Sequence, residues 1–132
     1  RRTRFMGGDV AGWTGGGVER VSPARGEVWR AELDPVRGRE QAGERPILVV
    51  STDTFNRGPA DLAVILPLTT ARKKVRWHVE VSPPEGVVAA VSFVKCEDVG
   101  SISKDRLSER WGEVSEDVMR AVEDRLRILL QL

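Results

Sequence analysis

Gly43-Glu44-Arg45-Pro46-Ile47-Leu48-Val49-Val50 sets an Arg-Pro step directly before a run of apolar β-formers. A second such run, Ala63-Val64-Ile65-Leu66-Pro67-Leu68, ends on the hydroxyls of Thr69 and Thr70. Short apolar runs rich in branched residues read as buried strands. Each strand would then deliver one polar group at an end, a guanidinium from Arg45 and a hydroxyl from Thr69. The planar fork of a guanidinium matches a phosphate. A hydroxyl beside it can donate to an oxygen that is gaining charge. That pairing suits a phosphodiester. A register slip of one residue would exchange Thr69 for Thr70, because it turns the side chain to the opposite face.

Outward from this pair, short apolar runs recur at the spacing of a small barrel. Strands are expected over 26–33, 46–52, 62–69, 77–82, 87–95 and 98–103. The turn signals between them are Asp34-Pro35, Arg57-Gly58-Pro59, Pro83-Pro84-Glu85-Gly86 and Val99-Gly100. Pro67, late in its run, predicts a bulge or an edge there. Near the C-terminus the period changes. Ser115 can cap a helix with Glu116 and Asp117 in its first turn. Val118, Met119, Val122, Leu126, Leu129 and Leu130 then share a face at helical spacing. That helix is expected to pack on the sheet and to do no chemistry.

The chain has 132 residues and 40% hydrophobic content, enough for a single globular core. No apolar stretch approaches the ~18 residues of a membrane span, and none reads as a secretory segment. Residues 1–24 are Gly-rich, including Gly15-Gly16-Gly17, and are expected to form a flexible extension ahead of a domain over 25–132. The lone Cys96 forms no internal disulfide, which suits a reducing cytoplasm, and its alternating apolar surroundings make it a core residue. One histidine and one cysteine are too few for a zinc site.

From Arg25 onward the sequence resembles the MazF/PemK-type toxins of bacterial toxin–antitoxin pairs. The resemblance rests on RGEVWRAELDP (25–35), GREQAGERP (38–46), LVVSTD (48–53), VILPLT (64–69), HVEV (78–81), Ser92-Phe93 and SISKDRL (101–107), in this order and at these spacings. It implies a mainly β fold, an SH3-like barrel of the CcdB/MazF/PemK type with an appended C-terminal helix. It further implies a bacterial, cytoplasmic, metal-independent and cofactor-free endoribonuclease, specific for sequences in single-stranded RNA. The products would be a 2′,3′-cyclic phosphate and a 5′-hydroxyl. A two-fold homodimer and a cognate antitoxin with a disordered acidic tail are the implied partners, with no membrane. The main alternative keeps the barrel and changes the function, as in the CcdB-type poisons of DNA gyrase, which are not nucleases.

By this resemblance Arg45 and Thr69 align with the catalytic pair. Guanidinium stays protonated in proteins, which favours clamping the phosphate over general-base work, and no base is evident in the sequence. His78 opens an alternating strand and is set aside. The densest positive run, Arg72-Lys73-Lys74-Val75-Arg76, directly follows Thr69 and is expected to track phosphates. Glu44, Glu97 and Asp98 are expected near RNA. Single-stranded RNA is read by stacking, and with aromatics at 5% only Phe55 and Trp77 stand near the expected rim. The rim itself would be formed by residues 35–44 and 70–76. Trp29 is expected in the core or at a subunit interface.

Overall fold

The computed structural model describes residues 22–33 and 43–132. Most of the expected Gly-rich extension, the Asp34-Pro35 turn and residues 35–42 of the expected rim loop lie outside that range. Seven strands and two helices follow in order: β1 (Glu27–Leu33), β2 (Gly43–Val49), α1 (Asp53–Asn56), β3 (Leu62–Thr69), β4 (His78–Val81), β5 (Ser92–Lys95), β6 (Gly100–Ser103), β7 (Leu107–Glu113) and α2 (Glu116–Leu130). The fold is mainly β, as the spacing of apolar runs implied. Strands neighbour one another in the order β4-β5-β3-β2-β1-β7, with β6 also on β3. Every described pairing is antiparallel.

The centre of this arrangement is β3. Along one edge it pairs with β2, from Ile65 to Pro67. Along the other it pairs first with β6, from Leu62 to Ile65, and then with β5, at Leu68 and Thr69. Pro67 falls at the change of partner, where its missing N–H costs no ladder bond on that edge. The expectation of an edge or bulge at Pro67 is therefore corrected: the residue is buried within a central strand. The strand tolerates it because two short strands share its edge.

Alternation sorts the apolar side chains into two clusters. Leu48, Val50, Leu66 and Leu68 pack with Val28, Val79, Val81, Val94, Cys96 and Val122, covered by α2. Ile47, Val49, Ala63 and Ile65 point the other way, to Ala31 and Leu107, with Trp29, Leu33 and Ile102 against them. α2 forms as its sequence requires. The Ser115 hydroxyl accepts from the Val118 N–H at 3.2 Å, and Gln131 ends the helix in the left-handed region at φ 62°. Val122 is fully buried, and Val118, Met119, Ala121 and Leu126 lie against the first cluster. Leu130, expected on that face, is instead 49% exposed, as is Ile128.

The boundaries depart from expectation in three places. β2 begins at Gly43, so Glu44 and Arg45 are strand residues with fixed register against Glu32 and Ala31. The run 87–95 contributes only Ser92–Lys95 as strand, after a 3₁₀ turn over Glu85–Val87. In that turn Gly86 holds φ +63°, and a Cβ there would stand 2.9 Å from Val28 Cγ2. β7 was not foreseen, because it is an edge strand with two register shifts against β1 and lacks a clean alternation.

The end of the β2–β3 hairpin opposite Arg45 is held by a buried polar knot. Asn56 is fully buried, donates to the Ser51 carbonyl at 3.1 Å and accepts from the Ser51 hydroxyl, which itself accepts from the Val64 N–H at 2.9 Å. Lys104 closes the knot by donating to the Asn56 carbonyl at 2.5 Å. Asn56→Ala strips partners from groups that stay buried, and the expected loss is on the order of 2–3 kcal/mol of stability. Denaturant unfolding of the variant measures it.

Candidate functional site

Arg45 and Thr69 belong to neighbouring strands, and their relation follows from the register. Ile47 pairs with Pro67, and carried two residues further the same register sets Arg45 opposite Thr69. Both residues have the parity of Ile47, Val49, Ala63 and Ile65, so alternation puts them on the face away from α2. Thr70 has the opposite parity. Thr69 in turn pairs with Phe93 of β5, and Phe93 with Glu80 of β4. Ala31 with Arg45 on one side, and Thr69, Phe93 and Glu80 on the other, are thus paired rows that the extended β2–β3 register aligns, although the β2–β3 pairing itself ends at Ile47 and Pro67.

Local contacts set the chemistry of this row. The Thr69 hydroxyl oxygen accepts from the Ala71 N–H at 3.1 Å, a short-range turn contact that orients the group. Among the described residues its own proton has no acceptor. Phe93 is 6% exposed, and the Arg72 guanidinium lies over its ring at 5.0 Å from the centroid. This cation–π contact brings the first cation of the 72–76 run beside Thr69. Phe93 and Glu80 stand in motifs of the resemblance but were not expected in the site; the pairing of β5 with β3 and β4 lines them up with Thr69.

A family model for the PemK-like, MazF-like toxins of type II toxin–antitoxin systems matches residues 24–130. The chain belongs to this toxin family. The toxin is similar to solved structures over most of its length. One is MazF of Deinococcus radiodurans, at 29% identity and a TM-score of 0.73, covering 85% of this chain and 99% of that one. The MazE–MazF assembly of the same organism matches at 29% identity and a TM-score of 0.71, covering 85% and 98%. An endoribonuclease from a mycobacterial species, in complex with its cognate antitoxin, matches at 28% identity and a TM-score of 0.70, covering 83% and 96%.

The other candidate residues of the toxin fall into three groups. Lys73, Lys74 and Arg76 are exposed on the loop after Thr69, and among the described residues none of them is ion-paired. Glu97 and Asp98 lie in the turn after β5. Glu97 takes the His78 Nε2 at 3.0 Å, and Asp98 pairs with Lys95 at 3.0 Å. The His78 ring is buried, and its Nδ1 has no hydrogen-bond partner among the described residues. His78 therefore serves as a partner of Glu97 and is not an exposed base.

The third group is not brought to the row. Glu44 has the opposite parity to Arg45 and is bound to Arg30 at 2.7 Å. Phe55 stands on α1, at the far end of the β2–β3 hairpin from Arg45 and Thr69, and is 37% exposed. Trp77 packs against the cluster beneath α2, behind the sheet. Trp29 sits in β1 against the second cluster, its indole N–H donating to Glu27 at 2.8 Å. Among the described residues no three His, Cys, Asp or Glu side chains stand together to hold a metal, and no helix is long and apolar enough to cross a membrane.

Cys96 is fully buried and directly follows Lys95, which pairs with His78. Burial, reinforced by the Glu97 carboxylate and opposed by Arg125, pushes its thiol up from 9.0 to about 11. The folded form therefore keeps a proton that the unfolded chain releases, so this contribution to stability is complete below pH 9 and lost as pH rises through 11. Cys96 should react with a disulfide reagent slowly at pH 8 in the native toxin and fast once it is unfolded. Equal rates in the two states would show the thiol to be accessible.

Proposed function

We propose that this toxin is an endoribonuclease that cuts single-stranded RNA using the RNA's own 2′-hydroxyl. Support comes from membership of the toxin family and from likeness to a mycobacterial endoribonuclease and to MazF. The observation that supports the reading is that alternation puts Arg45 and Thr69 on one face, with Thr69 paired to Phe93 and Arg72 over that ring. That face carries a bidentate cation at Arg45 and a hydroxyl donor at Thr69.

In this reading the 2′-oxygen attacks the adjacent phosphorus, the bond from phosphorus to the 5′-oxygen breaks, and a 2′,3′-cyclic phosphate forms. The 2′-proton leaves the attacking oxygen, and the departing 5′-oxygen takes up a proton to become a hydroxyl. Arg45 clamps the non-bridging oxygens and offsets the charge that builds on them. Thr69, oriented by Ala71, donates to a non-bridging oxygen or to the leaving oxygen. Arg72, Lys73, Lys74 and Arg76 track neighbouring phosphates. Neither a metal nor another cofactor enters the reaction, and DNA, which lacks the nucleophile, is inert.

The partners follow the same reading: single-stranded RNA, a cognate antitoxin with an acidic tail, and a second copy of the chain in a two-fold dimer to which Trp29, Trp111 or α2 contributes. The setting is the bacterial cytoplasm. The Gly-rich residues 1–24 are proposed to lie outside the working domain, 25–132.

Two experiments test the proposal. Arg45→Ala and Thr69→Ala should each lower the cleavage rate by about 10²–10³, the usual loss for one transition-state donor, with unfolding midpoints close to wild type. Arg45→Lys should not restore activity, because a point charge lacks the fork. Near-full activity in both alanine variants would remove the site. Separately, cleavage should persist in EDTA and leave cyclic phosphate ends, and an RNA carrying 2′-deoxyribose at the cut nucleotide should resist. Cutting of that substrate would rule out attack by the 2′-hydroxyl.

A further inference from the structure

Thr69, Phe93 and Glu80 stand side by side on three paired strands. At the usual strand spacing this row crosses roughly 10 Å of sheet. Its middle position is covered by a planar cation: Phe93 is buried, and the Arg72 guanidinium lies over its ring at 5.0 Å from the centroid. Arg72 is exposed and, among the described residues, takes part in no ion pair. The other arginine of this loop, Arg76, lies over Trp77 at 4.8 Å, on the side of α2. The far position of the row is an acceptor. Glu80 is exposed, and its Oε2 accepts from the Ser82 hydroxyl at 3.2 Å, while Oε1 has no partner among the described residues.

We propose that Arg72 and Glu80 form a subsite for one nucleobase of the RNA, that of the nucleotide whose phosphate lies at Thr69, and that guanine fits it best. The inference rests on the nuclease reading above and gives Arg72 a base to hold besides phosphates to attract. The order of the row sets the order of contacts: phosphate at Thr69, base on the Arg72 plane, base edge at Glu80. Single-stranded RNA is read by bases stacked on aromatic rings or guanidinium planes. Among the described residues the one exposed aromatic is Phe55, at the far end of the β2–β3 hairpin, so beside Thr69 the plane on offer is the guanidinium. Phe93 beneath it holds that plane in place. Glu80 then selects the base, because a carboxylate accepts hydrogen bonds and donates none. Guanine presents two adjacent N–H donors on its Watson–Crick edge, which two carboxylate oxygens can take together. Uracil offers one N–H between two carbonyl oxygens, which a carboxylate repels. Adenine and cytosine each offer one amino group beside a ring acceptor.

The test measures binding of wild type, Arg72→Ala, Arg72→Lys and Glu80→Gln to single-stranded hexamers with 2′-O-methyl riboses, which the proposed reaction cannot cut. One hexamer alternates uracil with guanine, two others replace the guanines by adenine or by cytosine, and a fourth is abasic, keeping the phosphates and losing every base. Wild type should bind the guanine hexamer about ten-fold or more tighter than the abasic one, as stacking of a base predicts. Arg72→Ala should lose about that factor on the guanine hexamer and little on the abasic one. Arg72→Lys keeps the charge and a cover for Phe93 but not the plane, and should not restore binding. Glu80→Gln should erase the preference for guanine over adenine and cytosine. Thermal unfolding checks that the variants keep the fold. Equal losses for Arg72→Ala on the guanine and abasic hexamers would make Arg72 a phosphate contact and overturn the subsite. So would a wild type that does not prefer guanine, or a preference that survives Glu80→Gln. Absence of cleavage of unmodified RNA by the wild type would instead count against the nuclease reading, and the hexamer comparison would still decide the subsite.

Discussion

The strand shared by three partners governs this molecule. β3 is bounded by β2 on one edge and by β6 and then β5 on the other, with Pro67 at the handover. A single continuous neighbour on that edge would need the N–H that proline lacks. Two short neighbours do not, and their succession brings Phe93 against Thr69. The β2–β3 register, held at its other end by Asn56, Ser51 and Lys104 and paired as far as Ile47 and Pro67, sets Arg45 and Thr69 on the same face just beyond the last pair. Arg45, Thr69 and Phe93 are thus placed by strands, while Arg72 reaches the Phe93 ring from the loop that follows β3.

The placement has chemical consequences. Alternation divides Arg45 and Thr69 from Glu44 and Thr70, so a cation and a hydroxyl share one face without a carboxylate neighbour from their own strands. Phe93 stays buried beneath Arg72, which keeps an apolar plane next to a hydroxyl donor. His78, an apparent acid–base candidate, has one ring nitrogen engaged by Glu97 and the other buried. The face therefore carries a cation and a hydroxyl donor, which is what the proposed chemistry uses.

The 70–76 loop links this face to the opposite side of the sheet. Its two cation–π contacts, on Phe93 and on Trp77, fasten its ends to different faces, and the lysines between them stay exposed.

Much of this was legible along the chain. The apolar runs 46–52 and 62–69 identify the central strands, and Ser115 with its periodic apolar residues identifies α2, because these signals are local and repeat with the geometry of the element. Arg45 and Thr69 were expected as a pair from their position at the ends of those runs and from resemblance, and alternation puts them on one face. β7 was not, since an edge strand with bulges carries no alternation. Phe93 and Glu80 as members of the row, the parity that removes Glu44, and the separation of Phe55 and Trp77 from Thr69 depend on which strands pair and in what register. Residues near in sequence to a site are turned from it by the pleat, and residues dozens of positions away are brought to it by long-range hydrogen bonding. The sequence by itself determined the elements and the chemical groups available; tertiary structure decided which of those groups meet, because strand pairing is a non-local choice that no single segment encodes.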